Sequence, residues 1–290
     1  MLHPVSRIAI IGGGSIGEAL LAGLIRAGRQ AKDLAVAEKS PERAKHLSET
    51  YSVLLTSVAD AAENATYVIL AVKPADVAGV VNEIADAVGR AEDDSAEQVV
   101  VSVAAGVGTT YFESKLPAGS PVIRVMPNAP MVVGGGVSAL ARGRYATDEQ
   151  LKDVAAIFDA VGGVVVVPEA QMDAVTAVSG SGPAYFFLMA EALVDAAVDA
   201  GLPRQVATDL VAQTMAGSAA MLLERLDTQP SEGGAAMDTS PAQLRATVTS
   251  PGGTTAAGLR ELERGGLRAA VGNAVSAAKT RSEQLRITSE

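Results

Sequence analysis

Residues Ile8-Ala9-Ile10-Ile11-Gly12-Gly13-Gly14-Ser15-Ile16-Gly17 decide the fold. An apolar run without polar interruption reads as a parallel strand buried on both faces. The glycines end it, and Ile16, Ala19, Leu20, Leu24 and Ile25 then recur at helical spacing up to Gly28. Residues 34–37 form a second short strand, ended by Glu38. Ser40 and Pro41 open the next helix, Ser40 as its cap and Pro41 at the first helical position. The result is one strand–helix–strand unit of about 30 residues. Its glycines spell G-x-G-x-x-G. Gly12 permits the tight turn, Gly14 lets the backbone approach a pyrophosphate, and Gly17 lets helix and strand pack closely. Ser15 and Ile16 sit where a helix start offers free N–H groups and a positive dipole end. Glu38 follows Gly17 by about 20 residues, the spacing of the acid in dinucleotide-binding units.

The same residues also spell Gly13-x-Ser15-x-Gly17, the pattern of a hydrolase nucleophile. A serine nucleophile needs a positioned base, usually histidine. The chain has two histidines, His3 and His46, and neither has that context.

Beyond the first unit, strands are expected over 68–72, 99–103, 122–126, 137–141 and 164–167, and helices over 77–88 and 148–161. Strand alternating with helix argues a doubly wound α/β sheet. After Pro168 only helical periodicity remains, over 185–200, 204–226, 254–264 and 267–285. Two domains are therefore expected: residues 1–168 bind a dinucleotide, and residues 169–290 form an all-helical domain. The stretch 227–241, rich in Gly, Ser, Pro and Asp, reads as a loop. Ala212, Ala216, Gly217, Ala219 and Ala220 give the helical part small faces and little self-contained core. Its apolar faces are expected to pack on a second copy of the chain.

Composition narrows the chemistry. The chain has 290 residues, 23 Lys and Arg, 33 Asp and Glu, and a formal net charge of −10. That balance repels phosphate backbones and argues against a nucleic-acid binder. There is no cysteine. Thiol catalysis, disulfides and cysteine-bound metals are thereby excluded, and two scattered histidines argue against a histidine-based metal site; no metal is expected. No signal peptide is evident, and no run approaches the ~18 consecutive apolar residues of a membrane helix. A cytoplasmic location without membrane attachment is expected.

Several motifs lie where chemistry is expected. Glu38 suits the free 2′-hydroxyl of NAD, whereas Lys39, Ser40 and Arg43 suit the 2′-phosphate of NADP. NADP(H) is the favoured expectation and NAD(H) the alternative. Ala71-Val72-Lys73-Pro74 and Ala104-Ala105-Gly106 both follow strands, and in such sheets ligands lie beyond the strands' carboxyl ends. Ser250-Pro251-Gly252-Gly253-Thr254-Thr255 precedes a helix and forms a cradle for a carboxylate. Ser179-Gly180-Ser181-Gly182-Pro183 reads either as a similar cradle at a helix start or as a plain loop with Pro at the first helical position.

On these motifs the chain resembles the pyrroline-5-carboxylate reductase family. The resemblance runs nearly end to end. It includes Gly12–Gly17, Ala71–Pro74, Ser102–Val107, Arg124-Val125-Met126-Pro127-Asn128-Ala129-Pro130, Ser179–Tyr185 and Thr249–Thr255. It implies a Rossmann-type sheet followed by an all-α C-terminal dimerisation domain, and a homo-oligomer built from dimers, often a decamer. It also implies NAD(P)H-dependent reduction of 1-pyrroline-5-carboxylate, the last step of proline synthesis. Cofactor contacts are implied at Gly12, Gly14, Ser15, Ile16, Gly17, Lys39, Ser40, Ala71, Val72, Lys73, Pro74, Ala105 and Gly106. Ser250, Gly252, Gly253, Thr254 and Thr255 would hold the small-molecule substrate, with Thr255 on the ring nitrogen as the catalytic residue. Residues 226–237 are inserted relative to the family, and an acid of the family falls near Asp238. Related hydroxy-acid dehydrogenases use a lysine in the helical domain, and no lysine lies between Val165 and Val275. A reductase of another cyclic imine is the nearer alternative, because the carboxylate cradle does not fix ring size.

Overall fold

In the computed structural model every residue of strand β1 (Ile8–Ile11) is 0 or 1% exposed. The structure describes residues 7–63, 65–88, 98–227 and 241–287. The further strands are β2 (Leu34–Ala37), β3 (Leu54–Leu55), β4 (Tyr67–Leu70), β5 (Val99–Ser102), β6 (Val122–Met126), β7 (Gly136–Arg142) and β8 (Gly162–Val166). They form one sheet in the order β3-β2-β1-β4-β5-β6-β7-β8. Strands β1 to β6 are parallel, β7 runs antiparallel to β6, and β8 runs parallel to β7. The strand order reverses between β1 and β4, which opens a crevice beyond their carboxyl ends.

Side chains alternate across the sheet as the strand period demands. Ile8 and Ile10 join the core that holds Leu20, Leu24 and Phe158. Ala9 and Ile11 join the opposite core with Val81, Ile84 and Phe112. Helices α1 (Ser15–Arg26), α2 (Pro41–Tyr51), α3 (Val58–Glu63), α4 (Val77–Val88), α5 (Thr109–Lys115) and α6 (Asp148–Asp159) connect the strands. The Ser40 hydroxyl accepts from the Arg43 N–H, and Pro41 starts α2. Leu20 is fully enclosed, so its truncation to alanine is expected to destabilise by about 2–5 kcal/mol.

The strand after α3 is shifted relative to expectation. Ala71 and Val72 already lie beyond β4, and the Ala71 N–H donates to the Ile11 carbonyl at 2.8 Å. Strand β3 and helices α3 and α5 went unread, because 2, 6 and 7 residues are too short to display a period.

After β8 come α7 (Met172–Val175), α8 (Gly182–Asp199), α9 (Arg204–Asp227), α10 (Pro241–Thr247), α11 (Thr254–Arg264) and α12 (Leu267–Gln284). The expected loop at Ser179–Pro183 is instead a wide helical turn between α7 and α8. Within it the Ser181 N–H reaches back to the Thr176 carbonyl at 2.8 Å. Pro183 has no N–H to give the Ser179 carbonyl. The Asn128 amide, from the far side of β7 in the chain, donates to that carbonyl at 3.1 Å instead. The loop expected between Asp227 and Pro241, with the inserted segment beyond Asp227 and with Asp238, lies outside the described residues; its flanks are helical, Leu226 and Asp227 in α9 and Pro241 opening α10.

The chain forms two compact units, residues 1–183 with 275–290, and residues 184–274. The change in composition after Pro168 thus falls inside the first unit. The second unit consists of helices joined by turns, with no strand among its described residues. Its apolar side chains are poorly covered: Phe186, Phe187 and Leu188 are 65, 69 and 66% exposed. The helical stretches Glu169–Asp199 and Arg204–Glu224 are long and apolar enough, by length and composition, to cross a membrane. That test is also passed by helices that bury an apolar face against another protein surface.

Candidate cofactor and substrate sites

The glycine turn between β1 and α1 is shaped by close backbone approach. Gly12 has φ +103°, and a Cβ there would lie 2.6 Å from the Ala71 carbonyl oxygen. A Cβ on Gly17 would lie 2.0 Å from the Gly12 oxygen. Gly14 differs, since a Cβ on it would meet nothing within 4 Å. Its open face is where the helix starts. Gly14 is the N-cap of α1 and provides no side-chain cap. The first-turn N–H groups, Ser15 and Ile16 among them, therefore face an open cradle at the positive end of the helix dipole. The chemistry of this cradle fits a pyrophosphate.

Gly13, the variable position of the motif, is held from both sides. Its N–H donates to Glu38 Oε2 at 2.7 Å, and Glu38 Oε1 accepts from the Ser40 N–H at 2.8 Å. Its carbonyl accepts from Arg43 Nε at 2.7 Å. Arg43 also pairs with Glu18, which accepts from the Tyr51 hydroxyl at 3.1 Å and lies 3.0 Å from His46 Nε2. Burial pushes the Glu18 carboxyl up, but His46, Tyr51 and Arg43 together hold it below the usual carboxylate range. The sequence leaves Glu38, suited to the ribose of NAD, against Lys39, Ser40 and Arg43, suited to the 2′-phosphate of NADP; nothing local signals that both Glu38 oxygens accept from backbone N–H groups. Lys39 Nζ lies 3.0 Å from both Asp76 carboxylate oxygens, and its side chain is 79% exposed.

Ala71–Pro74 follow β4, and Ala105 and Gly106 follow β5. Ala105 is exposed, whereas Gly106 is buried with φ +77°. Gly12–Gly17, Lys39–Ser40, Ala71–Pro74 and Ala105–Gly106 thus follow neighbouring strands and share one edge of the sheet.

Ser250, Gly252, Gly253, Thr254 and Thr255 lie in the helical unit. The Gly253 N–H donates to the Ser250 carbonyl at 3.0 Å and closes a turn. Gly252 takes φ +70°, a left-handed conformation that glycine adopts without strain. Gly253 is the N-cap of α11, again without a side-chain cap. Thr254 and Thr255 are the first helical residues and are exposed. This turn is a second cradle suited to a small anion, with a hydroxyl group beside it.

Comparison with known proteins agrees with both halves. Residues 7–106 match the family described as NADP oxidoreductase, coenzyme F420-dependent. Residues 169–285 match pyrroline-5-carboxylate reductase dimerisation. The chain is 67% identical to the pyrroline-5-carboxylate reductase of Mycobacterium tuberculosis and 68% identical to that of Mycobacterium leprae, each over 100% of both chains. Among solved structures, the Coxiella burnetii pyrroline-5-carboxylate reductase superposes with a TM-score of 0.88 at 36% identity, over 98% of this chain and 100% of that one. With the glycine cradle at the sheet edge and the Gly252–Gly253 turn before α11, these matches establish that the chain belongs to the pyrroline-5-carboxylate reductase family.

Proposed function

We propose that this chain reduces 1-pyrroline-5-carboxylate to proline with hydride from NAD(P)H. The observation that carries the reading is the full-length 67% identity to a pyrroline-5-carboxylate reductase. Two intact anion cradles support it, one for a pyrophosphate and one for a carboxylate.

Bound NAD(P)H supplies a hydride to the imine carbon, and a proton on the ring nitrogen completes the amine. The N–H groups at the start of α11 hold the substrate carboxylate and orient the ring. The Thr255 hydroxyl hydrogen-bonds the ring nitrogen and helps to hold its proton. A protonated imine is already electrophilic, so positioning accounts for most of what the protein must do. Ser250, Gly252, Gly253 and Thr254 shape the cradle.

NADPH is the preferred cofactor in this reading, with NADH accepted. The Glu38 carboxylate is turned onto Gly13 and Ser40. Lys39 and Arg43, with the Ser40 hydroxyl, supply cationic and polar groups for a 2′-phosphate. Residues 1–168 bind the dinucleotide, and residues 169–290 bind substrate and pair with a second copy. That pairing covers the exposed apolar face and yields dimers that assemble further, to a decamer. The enzyme acts on a small molecule in the cytoplasm, away from nucleic acid and membranes.

The deciding experiment follows NADPH and NADH oxidation with racemic 1-pyrroline-5-carboxylate and measures the proline formed. Turnover with proline as product is expected. Binding of NAD(P)H without oxidation would sink the substrate assignment and leave the cofactor site standing.

A further inference from the structure

The last described residues come back to the sheet. The Ile287 N–H donates to the Gly106 carbonyl at 2.9 Å, and Ile287 pairs in parallel with Val107. A Cβ on Gly106 would lie 2.7 Å from the Leu285 carbonyl oxygen, so the two backbones touch. Ile287 packs against the core that contains Val107 and Phe112.

This segment is anchored a short distance upstream. The Asp173 carboxylate, 2% exposed, accepts from the Ser282 hydroxyl at 2.7 Å and pairs with Arg286. A second ion pair, Arg124 with Glu169 at 2.8 Å, belongs to the same charge cluster. A buried carboxylate with two side-chain donors is a strong fixed point, because losing the arginine leaves an uncompensated charge and losing the hydroxyl leaves a buried oxygen unpaired. The clamp therefore fixes residues 282–286, and Ile287 carries that constraint to the Ala104–Val107 turn. Ala105 and Gly106 are two of the cofactor residues.

We propose that the C-terminal segment 282–287 is a positioning strap. Arg286 and Ile287 act through Asp173 and Gly106 to hold the β5 turn in its cofactor-binding conformation. The strap touches no reacting atom. It rests on the reading of Ala105 and Gly106 as cofactor contacts.

The test compares the intact protein with Arg286→Ala, Arg286→Lys and Ile287→Pro. The last removes the N–H that Gly106 accepts and keeps the Asp173 clamp. NADPH dissociation constants come from fluorescence titration, backbone exchange over residues 103–108 from deuterium uptake, and kcat from assays at saturating NADPH. Arg286→Ala should weaken NADPH binding by about tenfold, the scale of one well-made hydrogen bond to a charged group, and Ile287→Pro by about three- to tenfold, the scale of a neutral backbone hydrogen bond. Exchange at 103–108 should rise while kcat at saturation stays within about twofold, since the strap affects binding and not the hydride step. Arg286→Lys should recover part of the affinity. Arg268→Ala, which removes an exposed pair with Glu263 in the helical unit, should leave NADPH affinity unchanged. Unchanged affinity and exchange in Ile287→Pro would overturn the strap, even if Arg286→Ala fails to fold. Absence of NADPH-induced protection at 103–108 in the unaltered protein would instead overturn the cofactor reading of Gly106.

Discussion

The Glu38 carboxylate accepts the Gly13 N–H at 2.7 Å, so the acid after β2 holds the glycine turn after β1. Its other oxygen accepts from Ser40. This geometry separates two roles that look alike in sequence. An acid that reads the ribose affects NADH binding and spares NADPH. An acid that holds the turn affects both. Glu38→Ala should therefore raise the dissociation constants of NADH and NADPH alike, by about tenfold for the lost charge-assisted hydrogen bond. A loss confined to NADH in titration would return Glu38 to the ribose.

Two of the motif glycines should fail in different ways. A side chain on Gly14 meets nothing within 4 Å, whereas one on Gly17 collides with the Gly12 oxygen. Gly14→Val is expected to abolish NAD(P)H binding with a melting temperature close to the parent, because it fills only the space kept for the pyrophosphate. Gly17→Ala is expected to lower the melting temperature as well, because the β1–α1 turn must open. Thermal melts and cofactor titrations of the same two variants check both statements.

Thr255 stands at the start of α11, exposed and next to the Gly253 cap. Thr255→Ala should lower kcat/KM for the imine by roughly 10–100-fold, about 1.4–2.7 kcal/mol. NADPH affinity should not change. Parental kinetics in this variant would remove Thr255 from the chemistry.

What could be read in advance divides by range along the chain. The β1 run, the glycine turn, the Ser40–Pro41 cap and the Gly252–Gly253 turn obey rules that act over a few residues, and the structure has them. Lys39 and Ser40 were correctly put after β2, but their company was not visible. Nothing local to Glu38 says that Gly13 will be its partner, and nothing near Pro183 says that Asn128 will take the carbonyl Pro183 leaves open. The return of Ile287 to Gly106 is the extreme case. Those residues stand about 180 positions apart in the chain, in different kinds of structure, and no periodic signal links them. Short elements such as β3 were lost for another reason, since too few residues were present to show a period.

The exposed apolar face of the helical unit predicts an oligomer. Phe187 is 69% exposed and sits among Phe186 and Leu188 on α8. Phe187→Glu should place a charge in the surface that a second copy covers and shift the protein toward monomer in light-scattering measurements. An unchanged mass would put the interface elsewhere.

The Asp173–Arg286 pair predicts a pH dependence of stability. Burial pushes the Asp173 carboxyl up, but Arg286 and Ser282 outweigh it, and the folded value lies below the ordinary 3.8. A carboxyl with a lowered folded value binds fewer protons in the folded state than in the unfolded state. Its contribution is therefore full above the unfolded value and declines as pH falls through the folded one. Arg286→Ala removes the partner that lowers the value, so the gap in melting temperature between parent and variant should be widest near neutral pH. It should narrow below about pH 4, where the unfolded state takes up the proton first, and close below the lowered folded value, where both states carry it. A gap that stays constant from pH 7 to pH 3 would show that the Arg286 contribution is packing along Asp173 and not the ion pair.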